Sequence, residues 1–144
     1  MEGTTLVALF PCRPQRDART IELAGRSLPM RLHACGSGKK TWAVAVLDVA
    51  QPADVGTALL ALQKAAAENI AASSVRSLPL KVPGMTPNPN AAMQTMSGVS
   101  AQGSAIQASA AFFAKGLRVY QATVFGERVD LDASEMFFAG LKLQ

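Results

Sequence analysis

The sequence has little of the chemistry from which metal and nucleophilic sites are built. Its 144 residues include two cysteines and one histidine, without a CxxC or HxxxH spacing. Because a structural zinc site needs four such ligands, these residues are an incomplete set, and we expect no metal and no cofactor. The sequence also lacks an apolar run of about 18 residues, the length typical of a membrane span. No transmembrane segment is therefore predicted.

Charged residues are also scarce, at 17% against 49% hydrophobic residues. This composition is globular, and the length fits a single domain over residues 1–144. The net charge of +4 lies entirely in residues 1–40, which hold seven Lys or Arg against three acids. A modest anion-attracting surface is predicted there, built from Arg26, Arg31, Lys39 and Lys40. Nucleic acid is not expected as a partner, since a dense basic stripe with interleaved aromatic residues is lacking.

Residues 36–41, Gly-Ser-Gly-Lys-Lys-Thr, superficially resemble a phosphate-binding loop. The Walker pattern requires glycine where His33 stands and Ser or Thr directly after Lys39. Residues 41–48 also follow with a strand pattern instead of a helix. The segment therefore predicts a hairpin loop.

A β-hairpin is predicted around residues 24–27. Glycine at position 25 suits the first central position of a type II′ turn. The resulting register would pair Leu23 with Leu28, Ile21 with Met30, and Arg19 with Leu32. Apolar side chains then share one face of the hairpin, and the other face is expected to be solvated; it holds Thr20, Glu22, Arg31 and His33.

The two cysteines bracket this hairpin. A strand over about residues 5–10, followed by the two arms, would bring Cys12 and Cys35 to the same rim of the sheet. We therefore predict a disulfide between them, which would add roughly 3 kcal/mol of stability and indicate an oxidising compartment. Buried free thiols are the alternative, and they would favour a cytoplasmic location. A catalytic pair of cysteine and His33 would need convergent side chains, whereas His33 is expected on the solvated face.

A long helix is predicted to begin at Pro52 and to end near Ser73 and Ser74. It carries an apolar stripe that must cover the sheet; the stripe consists of Val55, Leu59, Leu62, Ala66 and Ile70. A strand over residues 75–80 and a second hairpin over residues 105–125, with its turn at Lys115-Gly116, follow. Residues 132–135, Asp-Ala-Ser-Glu, predict a capping box that opens a short C-terminal helix.

Residues 85–104 are poor in charge, and they fit either a mobile loop or a strand around residues 91–99. We favour the strand, because the following hairpin needs a neighbour. Its methionines are candidates for an adaptable apolar binding site, although such residues also fill gaps in a core; they are Met85, Met93 and Met96.

The predicted fold class is α+β: an antiparallel sheet of about six to seven strands with a long helix and a short C-terminal helix packed on it. Phe10-Pro11, the Gly25 hairpin, the Pro83-Gly84 break, residues 117–120 and the tail over residues 137–143 resemble uncharacterised bacterial envelope proteins with a PsbP-like fold. That resemblance implies a periplasmic or outer-envelope location and a natural form that is lipid-anchored.

The expected function is a non-catalytic envelope domain that contacts a protein or another envelope component. The contact is expected through the basic hairpin face, with His33 among its candidate residues, or through the methionine-rich segment. The alternatives are a small apolar ligand carrier and an enzyme whose site is not apparent from the sequence. The first residues lack the basic and apolar regions of a signal peptide. If the cysteines are bridged, we expect the natural precursor to carry a leader, with Met1 introduced by expression.

Overall fold

The computed structural model describes residues 4–129 and 131–144; for residues 131–133 it describes the backbone but not the side chains. The predicted capping box, which depends on the Asp132 side chain, and the expectation about Met1 lie outside this description. The elements in chain order are β1 (Leu6–Val7), β2 (Gln15–Leu23), β3 (Arg26–Ser37), β4 (Lys40–Asp48), α1 (Pro52–Asn69), β5 (Ser74–Leu78), β6 (Ala92–Val99), β7 (Ala105–Lys115), β8 (Arg118–Gly126), α2 (Leu131–Ala139) and β9 (Lys142–Leu143).

Seven of the described strands form one antiparallel sheet in the order β2-β3-β4-β8-β7-β6-β5. The remaining two, β1 and β9, pair separately. The fold class is therefore α+β, as predicted, and the strand over residues 92–99 is present. The prediction for residues 5–10 needs correction, because only Leu6 and Val7 form a strand and they do not join the main sheet.

Both faces of the sheet are covered at its central strands. One face packs against α1, where Leu59 contributes a fully buried side chain to a cluster with Leu47, Phe112 and Val119. The other face packs against β1, α2 and β9, with Leu6, Phe137 and Leu143 in its cluster. We call these the helix face and the terminal face. Because β1, α2 and β9 cover the terminal face, the side chains that β4 and β8 place on that face are mostly apolar.

The first hairpin has the predicted faces but not the predicted partners. The turn lies at Ala24 and Gly25, both with positive φ (52° and 78°), which is the type I′ conformation instead of type II′. Leu23 therefore pairs with Arg26, Ile21 with Leu28, and Arg19 with Met30. The predicted register was displaced by two residues, and a displacement of two keeps every side chain on its face because the side-chain period of a strand is two.

Helix α1 follows the predicted stripe. Pro52 opens it and Asp54 lies in its first turn, where an acid complements the helix dipole. It ends at Asn69, earlier than the predicted end near Ser73 and Ser74, because Ala71 adopts a left-handed φ of 45°. The amide of Ala72 donates to the carbonyl of Ala67 and that of Ala71 to the carbonyl of Glu68, which is a Schellman ending with alanine where glycine is usual.

Candidate functional site: a charged groove at the sheet rim

A row of charged side chains crosses three neighbouring strands where the terminal face reaches the end of the sheet. Asp48 ends β4 and pairs in register with Arg118, the first residue of β8. Arg31 of β3 pairs with Val46, which lies two residues before Asp48 and therefore on the same face. The strand ends thus bring one carboxylate and two guanidinium groups together.

Asp48 is held from both sides. Its Oδ2 lies 3.5 Å from Arg31 Nη2, and its Oδ1 lies 3.3 Å from Arg118 Nε. Half of the Asp48 side chain is exposed, so these pairs contribute at most about 1 kcal/mol each. Their main effect is to orient the two guanidinium groups at the rim.

A groove of about 320 Å³ opens beside this row. We call it the rim groove; it is lined by Thr5, Asp48, Lys115, Leu117, Arg118 and Tyr120. Lys115 Nζ donates to the main-chain oxygen of Gln144, and the Gln144 amide donates to the Thr5 carbonyl over 3.1 Å. These contacts tie both ends of the described chain to the groove. With Arg31 at its edge, the groove gathers three cationic side chains and one acidic side chain, and the ammonium group of Lys115 is bound to Gln144.

Tyr120 forms the floor of the rim groove and is fully buried. Its ring stacks on Phe113 with centroids 5.2 Å apart. Burial raises the pKa of the Tyr120 phenol, and the nearby Thr4 and Arg118 side chains partly oppose that shift. Neither meets hydrogen-bond geometry at the phenolic oxygen, which has no partner in the described part of the chain. The groove therefore rests on a neutral, rigid ring.

His33 lies on the terminal face of β3, where the sequence placed it, but it is buried instead of solvated, with 8% of its surface exposed. The covering layer over that face accounts for the difference. Burial lowers the pKa of His33, and Arg16 and Arg31 lower it further. Its Nδ1 has no hydrogen-bond partner among residues 4–129 and 131–144. His33 is therefore a neutral core residue, and no thiol is available to pair with it, because Cys35 is bridged.

The predicted disulfide is confirmed. Cys12 and Cys35 are bonded, with their Cα atoms 5.9 Å apart. Cys35 is buried in the terminal-face cluster and Cys12 packs against that cluster. The bridge therefore fastens the segment before β2 to the end of β3, at the rim that the sequence indicated.

The structure does not bring the four predicted basic residues onto one surface. Arg26 pairs with Leu23 on the helix face and lies 3.4 Å from Asp54 of α1. Arg31 and Lys40 lie on the terminal face, at opposite ends of the sheet. Lys39 occupies the β3–β4 turn, 3.8 Å from Glu127. The loop at residues 36–41 is the predicted hairpin turn.

The three methionines are also divided between the two cores. Met96 is buried on the helix face, and Met85 and Met93 pack against the terminal-face cluster. Met85 lies in a loop that Thr86 fastens to the sheet, since the Thr86 amide donates to the Ala114 carbonyl over 2.8 Å. The methionines fill gaps in two separate cores, so they do not form one apolar surface.

Sequence reasoning missed the principal residues of the rim groove. Lys115 was predicted only as a turn residue, Arg118 and Tyr120 only as part of a family pattern, and Asp48 only as the end of a strand. The available signal was positional: residues that flank a tight hairpin turn share the rim with the end of the neighbouring strand. That neighbour could be identified only from the strand order.

A second cavity, of about 230 Å³, lies at the opposite rim, where Lys39 and Glu127 form an exposed ion pair. Among the described residues, no group of three or more His, Cys, Asp or Glu side chains could hold a metal ion. None of the helices that the structure describes combines the length and the apolar character required to cross a membrane. Comparison with protein-family models, curated proteins and solved structures finds no significant match.

Proposed function

We propose that this protein is a non-catalytic binding domain of a bacterial cell envelope, and that the rim groove receives an acidic group of a partner protein. The observation that carries the proposal is the groove itself. Arg31 and Arg118 contact the carboxylate of Asp48, and Lys115 lines the same groove on the far side of Arg118. Such a local excess of positive charge attracts anions and accelerates their encounter with the protein.

The shape of the groove favours recognition of a group that projects from a larger surface. It is open to solvent and its floor is the fixed ring of Tyr120. Arg118 presents a planar guanidinium, which suits two-point hydrogen bonding to a carboxylate. The half-exposed Asp48 costs little to displace from its ion pairs, so an incoming carboxylate can compete for the same guanidinium groups.

The Cys12–Cys35 disulfide supports the location part of the proposal. It is compatible with an oxidising envelope compartment, because cytosolic thiols are normally kept reduced. We propose a periplasmic or outer-envelope-associated location, a leader on the natural precursor and membership of the PsbP-like envelope proteins that the sequence resembles.

Site-specific photo-crosslinking in the producing cell tests the binding part. A photoreactive residue at Leu117, which lines the groove, should give a discrete protein adduct, and one at the exposed Leu60 of α1 should not. The double charge reversal Lys115→Glu with Arg118→Glu should abolish the adduct. The matched reversal Lys64→Glu with Arg128→Glu, at exposed positions away from the groove, should leave it unchanged. An adduct that survives the first reversal would contradict the role of the groove.

The location is tested by counting thiols in intact cells. Cells are quenched in acid, denatured without reductant and treated with a maleimide reagent of measurable mass. No added mass on Cys12 and Cys35 is expected for a protein in the envelope. Two labelled thiols in a chain retained inside the inner membrane would overturn the location without affecting the crosslinking result.

A further inference from the structure

The two edge strands of the main sheet differ in how well they are protected from pairing with another chain. Strand β2 forms one edge and β5 the other. All five residues of β5 are exposed, so no other part of the described chain covers its outer side. An uncovered edge presents unpaired backbone N–H and C=O groups, on which another extended chain can pair.

Strand β2 carries the charges that normally prevent such pairing. Its exposed residues include Arg16, Asp17, Arg19 and Glu22. The hydrogen bond from Arg19 holds the pKa of the Asp17 carboxyl below its usual value, which keeps that pair ionised. Strand β5 has a single charged residue, Arg76, and ends just before Pro79. The edge at β5 is therefore the accessible one, and it is about five residues long.

Apolar side chains flank this edge on both faces. Val75 pairs with Met96 on the helix face and remains 46% exposed. Leu78 pairs with Met93 on the terminal face and remains 38% exposed. An added strand would extend both cores by covering these two side chains, which provides apolar burial in addition to main-chain hydrogen bonds.

Arg76 determines which kind of chain fits. It lies between Val75 and Ser77 on the outermost strand, and it forms no ion pair within residues 4–129 and 131–144. In the antiparallel register that pairs all five residues with a second copy, Arg76 would face Arg76 of that copy. Like charges directly opposite each other destabilise a strand pair. Self-pairing is therefore disfavoured, and an acidic residue at the centre of the incoming strand is favoured.

We infer that the β5 edge binds an extended peptide segment of a partner protein, with an acidic residue opposite Arg76, as an eighth strand of the sheet. This surface lies on an outer strand, whereas the rim groove lies on the central strands, so the inference is independent of the proposed function of the groove. Because the edge is only about five residues long, the interaction is expected to be weak, with Kd on the order of 1 mM for an isolated peptide.

Two blocked pentapeptides test the inference: Thr-Val-Glu-Val-Thr and its lysine counterpart, Thr-Val-Lys-Val-Thr. Backbone amide shifts in NMR spectra of the full chain should change mainly in β5 and β6. The glutamate peptide should bind about two- to fivefold more tightly than the lysine peptide, as expected for one exposed charge pair. The variant Arg76→Glu should reverse that order.

The control is Arg19→Glu on the opposite edge strand, which should leave the preference unchanged. Three results would overturn the inference: no shifts in β5 with either peptide at several times the expected Kd, the same preference in Arg76→Glu, or shifts located in β2. Concentration-dependent dimerisation that the neutral variant Arg76→Thr strengthens would likewise replace a peptide partner with a second copy of the chain, because this variant removes the like-charge pair.

Discussion

Cys35 and Trp42 lie directly opposite each other on β3 and β4, so the disulfide and the indole ring share the terminal-face cluster. Both are nearly inaccessible to solvent, with 6% of their surface exposed. Trp42 is the single tryptophan of the chain, so its fluorescence reports on this corner of the sheet alone.

Reduction of the disulfide should therefore raise the fluorescence of Trp42, because a nearby disulfide quenches the excited indole by accepting an electron. The double variant Cys12→Ala with Cys35→Ala should lose about 3 kcal/mol of unfolding free energy, since a loop of this length is no longer closed in the unfolded chain. Urea unfolding followed by fluorescence measures both effects. Equal urea midpoints for the oxidised protein and the double variant would contradict the stabilising role of the bridge.

Neighbouring leucines on α1 offer a matched pair. Leu59 is fully buried against the helix face, whereas Leu60 is 53% exposed. Leu59→Ala should cost about 2–5 kcal/mol through lost burial and a residual cavity, and Leu60→Ala should cost less than about 0.5 kcal/mol. Chemical denaturation of both variants measures the two losses of unfolding free energy. Similar losses in the two would mean that α1 does not cover the sheet through Leu59.

Gly84 allows the close approach of the last strand. It has a φ of +86°, and a Cβ at this position would overlap the carbonyl oxygen of Leu143. Gly103 has a similar φ of +81° but open space around it. Gly103→Ala should cost about 1 kcal/mol from backbone strain alone, and Gly84→Ala should cost more because β9 must also move. The comparison is made by thermal unfolding; equal shifts in Tm would show that the overlap is relieved without cost.

A substitution at the C-terminal end of α1 should increase the stability of the protein. Ala71 occupies the left-handed position that glycine usually takes in a Schellman ending. Ala71→Gly should stabilise the protein by about 0.5–1 kcal/mol, because the relief of strain exceeds the entropy that glycine adds to the unfolded chain. Ala65→Gly, within the same helix, should instead destabilise by about 0.5–1 kcal/mol. Loss of stability in both variants would contradict the strained ending.

His33 should make stability depend on pH. Its folded-state pKa is lowered by burial and by Arg16 and Arg31, so the unfolded chain binds a proton more readily than the folded one. The contribution of His33 is therefore fully present above its unfolded pKa of about 6.5 and is lost as the pH falls from there towards its folded pKa. The variant His33→Phe should remove this loss.

Two measurements check the behaviour of His33. Urea unfolding at several pH values between about 5 and 8 compares the two proteins in the range where the reference histidine titrates. NMR titration of His33, the single histidine of the chain, gives its folded pKa directly. A folded pKa above the reference value would reverse the sign of the prediction.

Local patterns in the sequence were sufficient to predict several elements of the fold. The stripe of α1, the presence of the second hairpin and the faces of the first hairpin follow from periodicities of 3.6 and 2, which need no knowledge of distant residues. The turn of the second hairpin lies at Gly116 and Leu117, one residue after the predicted position, because Lys115 pairs with Arg118. The exact partners in the first hairpin did not follow. A turn at Ala24-Gly25 places a non-glycine residue at positive φ, so a rule that favours glycine at the first central position selected the wrong turn.

By itself, the sequence determined which side chains share a face and that Cys12 and Cys35 reach the same rim, because both depend on strand direction and on spacing along the chain. Tertiary structure alone decided that the terminal face is covered, that His33 is consequently buried, and that Asp48, Lys115 and Arg118 meet at one groove. Those outcomes depend on strand order and on where β1, α2 and β9 pack, which are set by the free energy of the whole fold and not by any local pattern.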